Sequence, residues 1–458
     1  MATKTTRAAG YRCTECGWTA AKWVGRCGEC QAWGTVTETG ATVVRTTTAT
    51  RPDRPAVPIG EVSGETATAR TTGVAEFDRV LGGGLVPGSV VLVAGEPGIG
   101  KSTLLLDVAG RAGAGGRRVL YVSGEESAAQ VRGRAERIGA VSDGLYLAAE
   151  TDLATVLGQI EQVEPDLVVV DSVQTVASAA VDGSAGNVSQ VREVAASLIQ
   201  VAKSRGIAML LVGHVTKEGS IAGPRVLEHL VDVVVQFEGD RHTRLRLVRA
   251  VKNRYGPTDE VGCFDLHDAG IEGLTDPSGL FLSSRSVHVP GTCVTVTLEG
   301  RRPLVTEVQA LVTPSSAPNP RRATHGVDSS RMAMMIAVLQ RRAGLKIGPS
   351  DTFVSTVGGV RLSEPASDLA IALALASAVH DVAIPRGVIA VGEVGLSGEI
   401  RPATGVARRL SEAHRLGFTT ALVPVGATRD GAPPAGLRVL EVPSVSAAAA
   451  HAFPELLG

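Results

Sequence analysis

Aromatic residues are scarce: Phe, Trp and Tyr together make 3% of the 458 residues. The cores must therefore be built from Val, Leu, Ile and Ala, within an ordinary hydrophobic content of 44%. An excess of either charge is also missing. The formal net charge is -1, so a nucleic-acid partner cannot be read from overall charge, and any basic surface has to be local. Long apolar runs are lacking. The first ten residues are polar and basic, unlike a secretory signal. The most apolar stretch, residues 366–379, is too short and too Ala-rich for a bilayer and carries Asp368 near its start. The expectation is a soluble, cytoplasmic protein with no membrane partner. Lysine is absent after Lys346, which matters below. Cysteine is sparse but clustered: four of six lie in the first thirty residues, and Cys263 and Cys293 stand alone. In a reducing compartment that clustering points to a metal rather than to disulfides.

What is present falls into segments. Residues 11–34 form a compact Cys/Trp/Gly cluster, and residues 37–58, rich in Thr, Arg and Pro, read as a linker. Over 59–276, short Val/Leu runs at 90–94, 118–123, 166–171 and 207–213 alternate with helical segments, the pattern of a parallel sheet covered on both faces. Residues 231–251 read as two further strands joined at Gly239-Asp240. Residues 277–458 form a second α/β unit, with strands near 293–298, 301–310 and 388–391. Its helices are expected near 329–342, 366–379 and 407–416, and an exposed loop over 313–325.

Gly95-Glu96-Pro97-Gly98-Ile99-Gly100-Lys101-Ser102-Thr103 has the full spacing of a phosphate-binding loop, between a strand and a helix expected to open at Thr103. Its glycines let backbone N–H groups converge on phosphates, and the helix N-terminus adds positive potential. Lys101 can reach the β- and γ-phosphates of ATP, and the Ser102 hydroxyl can ligate Mg²⁺. Four apolar residues end in Asp171, the Walker B pattern, which delivers a carboxylate to the Mg²⁺ side of the sheet. A further strand ends at Ser123-Gly124-Glu125-Glu126, where one of the two carboxylates can polarise the attacking water.

Cys13-x2-Cys16-x10-Cys27-x2-Cys30 supplies two thiolate knuckles for one tetrahedral ion. A closed structural site favours Zn²⁺ over a rubredoxin-like iron. All three tryptophans, Trp18, Trp23 and Trp33, lie in or beside this module. The expectation is that they build its core, since so small a module needs large side chains; the alternative is stacking on bases or docking a partner.

The order of these motifs resembles the RecA-like ATPases. Nearly the full length is similar to the bacterial RadA (Sms) family of DNA repair proteins, on the strength of the four cysteines, the phosphate loop, Ser123-Gly124-Glu125-Glu126-Ser127 and Lys252-Asn253-Arg254-Tyr255-Gly256. The resemblance implies a zinc module over 1–36, a RecA-like α/β ATPase over 59–276 and a degenerate Lon-peptidase-like α/β domain over 277–458. It implies a homo-hexameric ring with ATP at subunit boundaries, acting on single-stranded and branched DNA in recombination and branch migration, with a RecA-type recombinase as partner. It favours Glu125 as the catalytic base, with Glu126 as the alternative, and makes His214, in Gly213-His214-Val215-Thr216-Lys217, the γ-phosphate sensor. The family signature reads Lys-Asn-Arg-Phe-Gly; here Tyr255 replaces Phe. Lys252 and Arg254 suit either a neighbour's γ-phosphate or a DNA backbone. The basic run Arg241, Arg244, Arg246 and Arg249 leads into them, with Arg244 and Arg246 on one strand face.

Lon-type peptidases pair a Ser nucleophile with a Lys base. The matching nucleophile stretch is Glu364-Pro365-Ala366-Ser367-Asp368, which places Ala366 at that position. The lysine's place falls after Gly405-Val406, where Ala407, Arg408 and Arg409 stand. Arginine does not deprotonate in proteins. Peptidase activity is therefore not expected; an ATP-dependent protein-remodelling ATPase remains the rival class. Arg301, Arg302, Arg321, Arg322, Arg361 and Arg401 are the C-terminal unit's candidates for DNA contact.

Overall fold

The computed structural model describes residues 10–39, 56–61, 68–214, 227–239, 243–277, 282 and 289–454. The chain divides into two compact units, Met1–Ser63 and Gly64–Gly458.

The first unit holds a three-stranded antiparallel sheet in the order β2-β1-β3, from β1 (Gly10–Cys13), β2 (Thr19–Ala20) and β3 (Val36–Thr39). Its core is small: Cys13, Cys27 and Val36, with Tyr11, Trp18 and Val24 against them. Val36 is buried and pairs with Cys13, so the module runs through Thr39, three residues into the expected linker. The rest of that linker lies mostly outside the described residues.

The second unit contains both remaining domains. Its N-terminal part is a nine-stranded sheet. The strands are β4 (Val90–Gly95), β5 (Val119–Ser123), β6 (Leu145–Ala149), β7 (Leu167–Asp171), β8 (Ala208–His214), β9 (Val233–Glu238), β10 (Leu245–Asn253), β11 (Val261–His267) and β12 (Gly270–Gly273). In space they lie β12-β11-β10-β9-β4-β8-β7-β5-β6. The stretch from β9 to β6 is parallel, and β10 to β12 continue it antiparallel. Every residue of β4, β5 and β7 is buried, as Val/Leu runs covered on both faces require. One face packs on α1 (Ala75–Leu81), α2 (Lys101–Ala114) and α3 (Ala128–Arg137). The other packs on α4 (Leu153–Val163) and α5 (Val188–Arg205). α2 starts at Lys101, two residues earlier than expected, because the phosphate loop turns directly into it.

The C-terminal part is a seven-stranded mixed sheet in the order β15-β16-β14-β13-β17-β20-β21, with a two-stranded β18-β19 ribbon. These are β13 (Thr292–Glu299), β14 (Arg302–Pro314), β15 (Arg322–His325), β16 (Ser350–Thr356), β17 (Val388–Ala390), β18 (Glu393–Val394), β19 (Ile400–Arg401), β20 (Thr420–Pro424) and β21 (Arg438–Val442). The loop expected over 313–325 is shorter than read: β14 runs through Pro314, and Arg322–His325 pairs with β16. Helices α6 (Ser329–Arg342), α7 (Asp368–His380), α8 (Val406–Arg415) and α9 (Val445–Ala452) cover this sheet. α7 is buried from Asp368 through Ser377. Its apolar run is thus a central core helix, and no helix among the described residues is long and apolar enough to cross a membrane.

The two parts share a core: Leu245 and Cys263 of the first sheet belong to the same apolar cluster as α6 and α7. Buried Glu76 on α1 receives Arg302 of β14, and Arg249 bridges Glu238 and Glu299. Arg302, a candidate for DNA contact, is instead 7% exposed and also donates to the carbonyls of Leu274 and Thr275.

Candidate nucleotide and metal sites

The nucleotide-site candidates converge where the parallel strands end. β4 ends in Gly95, β5 in Ser123, β7 in Asp171 and β8 in His214. The register sets Gly95 beside His214 and Ser123 beside Asp171. Since β8 lies between β4 and β7, His214 stands between the phosphate loop and the Asp171 strand. Ligands of open α/β sheets bind at this end.

The loop has the expected form. Gly98 (φ +78°) and Gly100 (φ +110°) adopt left-handed backbone, which side-chain-bearing residues rarely tolerate. Glu96, Pro97 and Gly98 are exposed, while Ile99 is buried in the core and anchors the loop. Lys101 is 3% exposed, and its Nζ donates to Gly95 O and Glu96 O, each at 2.8 Å. Burial lowers its pKa to about 8 against the pull of Asp171, Glu125 and Glu96. Ser102 and Thr103 follow on the first turn of α2. A left-handed glycine cradle at a helix N-terminus, with a buried lysine and a strand-end carboxylate, fits a polyphosphate accompanied by Mg²⁺. Ser102 and Asp171 are the residues that would hold the ion. Beside Thr103 a cavity of about 430 Å³ opens, lined by Arg137, Arg246, Leu266 and His267 among others.

The Glu125/Glu126 alternative separates cleanly. Glu125 Oε1 accepts from Ser172 Oγ at 2.8 Å and faces His214 Nε2 at 2.9 Å. Glu126 is turned away into an ion pair with Arg134. Burial raises the Glu125 pKa, but the bonds from Ser172 and His214 outweigh it and hold the carboxyl below its ordinary range. His214 is steadied by Gln174, whose amide bonds both its N–H and its C=O at 3.3 Å; Val215, Thr216 and Lys217 lie outside the described residues. Tyr121 and Ser172 were not singled out from the sequence. A tyrosine inside the aliphatic run of β5 was a usable signal, because a buried phenol needs a partner. Its hydroxyl donates to Asp171 Oδ2 at 2.7 Å.

Lys252, Asn253, Arg254, Tyr255 and Gly256 lie at the opposite end of the sheet. Asn253 pairs with Val233, and Val233 with Val91, near the start of β4. Arg254 bonds buried Asp232 at 3.1 Å, as does Lys203 at 3.0 Å, and Asp232 caps Val90 N–H. Lys252 Nζ donates to the carbonyls of Glu228 and Val231. Asn253 reaches Val80 O, and Tyr255 is exposed. Gly256 lies so close to Gly82 that a Cβ there would come within 2.9 Å of its Cα. The length of β4, roughly 17 Å at the usual rise, separates this motif from its own phosphate loop.

The basic run differs from the expectation. β10 begins at Leu245. Exposed Arg244 pairs with Asp265, whereas Arg246 is buried and donates to Ile99 O at 3.2 Å. Both line the cavity beside Thr103, but only Arg246 is on β10, where it also braces the phosphate loop through Ile99 O. Arg249 is taken by two glutamates, and Arg241 lies outside the described residues. Arg401 is paired with Glu393 and Glu399, and Arg301 with Asp259 and Glu260. Arg321, Arg322 and Arg361 are exposed.

In the first unit the four cysteine sulfurs lie within 4.8 Å of one another, with Cys13–Cys30 at 3.7 Å and Cys16–Cys27 at 3.5 Å. A tetrahedral ion with bonds of about 2.3 Å to sulfur spaces its ligands by roughly 3.8 Å, so the set fits one Zn²⁺. Trp18 closes over Gly28, where a Cβ would come within 2.8 Å of the ring. Trp23 and Trp33 are 64% and 75% exposed. Only one of the three tryptophans therefore serves the core.

Residues 72–220 match the family model described as an AAA domain, and residues 11–38 a zinc-ribbon model described as a rubredoxin metal binding domain. Residues 336–427 match the model of subunit ChlI of Mg-chelatase. The DNA repair protein RadA of Mycolicibacterium smegmatis is 57% identical over 450 residues, covering 96% of this chain and 95% of that protein. The chain belongs to the RadA family. Other members match at similar length: RadA of Mycobacterium tuberculosis strain H37Rv at 55% identity (96% and 92% covered) and RadA of Halalkalibacterium halodurans at 45% (93% of each). The RadA family assignment joins the three parts in one chain: a zinc ribbon, a P-loop ATPase domain and a C-terminal Lon-like domain.

At the positions matched above to a Lon-type dyad, this RadA-family chain carries buried residues, Ala366 and Arg409 among them. Ala366 is buried in a short turn before α7. Arg409 is fully buried and holds Glu364 through two bonds of 2.6 Å. Ser367 is also fully buried, and its neighbour Asp368 is engaged by Arg331.

Proposed function

We propose that this chain is a DNA-dependent ATPase that moves along single-stranded and branched DNA in recombinational repair, including branch migration. Lys101 offsets phosphate charge. Ser102 directly and Asp171 indirectly would hold Mg²⁺, which would supply charge neutralisation at the phosphates. Glu125 takes the proton of the attacking water, and His214 registers the γ-phosphate. The nucleoside half of ATP extends past Thr103 into the adjoining cavity.

The observation that carries this reading is Glu125, held between Ser172 and His214 at the mouth of a complete phosphate loop. In the homo-hexameric ring that the family resemblance implies, Lys252 and Arg254, far from their own phosphate loop, meet a neighbour's nucleotide or the DNA. A RecA-type recombinase fits as partner through the repair role printed in the relatives' names. Steady-state ATP hydrolysis with and without single-stranded DNA tests the proposal, with Lys101→Ala as control. Stimulation by DNA that disappears in the variant is the expected result. Hydrolysis indifferent to DNA would favour the protein-remodelling class instead, and near-normal hydrolysis by Lys101→Ala would refute the site.

A further inference from the structure

Tyr121 stands in the middle of β5 and is 1% exposed. Its neighbours Val119, Leu120 and Val122 are aliphatic, and packing alone would be served by Phe or Leu. A hydroxyl placed there is unfavourable unless it is bonded. The partner is Asp171 Oδ2, at 2.7 Å. The register explains the reach. Tyr121 pairs with Val169 and Ser123 with Asp171, so the alternation of a strand puts Tyr121, Val169 and Asp171 toward the same face. Tyr121 and Val169 belong to the apolar cluster that contains α2, the helix following the phosphate loop.

The Asp171 carboxylate needs such an anchor. Its terminal torsion is broad and roughly two-fold, and it lies close enough to Lys101 to pull on that ammonium. Left to itself it would turn either oxygen toward Lys101. Among the described residues, Oδ1 receives no hydrogen bond.

We propose that Tyr121 is a positioning residue for the Walker B carboxylate: its hydroxyl holds Asp171 Oδ2 and leaves Oδ1 as the oxygen available to Mg²⁺ and its water. The proposal rests on the nucleotide reading above. It assigns a polar task to a side chain that otherwise reads as core, and it makes the Oη hydroxyl, and not the ring that carries it, the part that matters.

The test uses the full chain and Tyr121→Phe, which keeps the ring and removes the hydroxyl. Binding of a fluorescent ADP is titrated with Mg²⁺, alongside metal-free binding and thermal melting. The half-saturating Mg²⁺ concentration should rise about ten-fold, the lower end of what loss of a ligand-orienting partner costs. Metal-free nucleotide binding should stay within about two-fold of the parent. In an Asp171→Asn background the same substitution should add nothing to the Mg²⁺ requirement, since coupled groups are not additive. Superposable Mg²⁺ curves for parent and Tyr121→Phe overturn the proposal, whatever happens to the melting temperature. So does a full additional effect in the Asp171→Asn background. A parent protein whose nucleotide binding ignores Mg²⁺ would instead bring down the nucleotide reading itself, and this role with it.

Discussion

Glu125 Oε1 lies 2.9 Å from His214 Nε2, across the end of the strand that carries Asp171. A carboxylate from β5 and an imidazole from β8 thus meet over β7. The pairing sets Glu125 apart from Glu126, which Arg134 engages, and the proposed role of Glu125 as catalytic base predicts a difference between the two. Glu125→Gln should lower kcat by about 10² to 10⁴-fold while leaving ATP binding in place. Glu126→Gln, which only releases Arg134, should leave kcat within a few-fold. Steady-state hydrolysis and nucleotide binding on both variants decide this; equal losses would contradict the assignment.

The same contacts set a pH dependence. Because Ser172 and His214 outweigh burial and lower the Glu125 pKa, the carboxylate stays ionised further into acid than an ordinary Glu. Ser172→Ala removes one lowering contact. The acid limb of the kcat profile should then move to higher pH, toward or past the ordinary Glu value. A profile that stays where it was would show that Glu125 is not the group titrating.

Arg409 and Glu364 make a different prediction. Arg409→Met leaves the Glu364 carboxylate partly buried without its counter-ion, with only Thr297 Oγ1 and Leu298 N–H still donating to it, and breaking a buried pair costs about 3–5 kcal/mol. Arg409→Met combined with Glu364→Leu should recover part of that loss in chemical denaturation, the remainder reflecting the Thr297 hydroxyl and Leu298 N–H that lose their acceptor. Burial raises the Glu364 pKa, but the bonds and charge of Arg409, with the bonds from Leu298 and Thr297, outweigh it and lower it. A depressed folded pKa contributes stability that is present above the unfolded value, about 4.3, and is lost as pH falls through the folded value. Arg409→Met should therefore flatten the acid loss of stability. A variant as stable as the parent at neutral pH would show the pair to be dispensable.

Zinc removal should act locally. The first unit has only a small core, and such ribbons depend on their ion for folding. Chelation should release one Zn²⁺ per chain and unfold residues 10–39, with a red shift of Trp18 emission. Nucleotide affinity and the melting of Gly64–Gly458 should be unchanged. Loss of ATP binding on chelation would show that the two units are not independent.

Much of this protein was legible in the sequence because the chemistry is local. The phosphate loop, the two CxxC knuckles and the Asp171 strand are each defined by residues within a few positions of one another, and backbone conformation alone brings them to their task. Buried strands β4, β5, β7 and β8 were readable for the same reason: a run of Val and Leu needs two covered faces. Tertiary structure decided the rest, wherever a side chain's partner is remote in sequence. It set Glu125 between Ser172 and His214 and Glu126 against Arg134, and it gave the Tyr121 hydroxyl to Asp171. It withdrew Arg246 and Arg302 from the surface and left Trp23 and Trp33 outside the zinc module's core. It also placed Lys252 and Arg254 at the far end of the sheet from their own nucleotide site. A charge or an aromatic ring in a sequence announces what it can do; only strand order and register determine what lies within 3 Å of it.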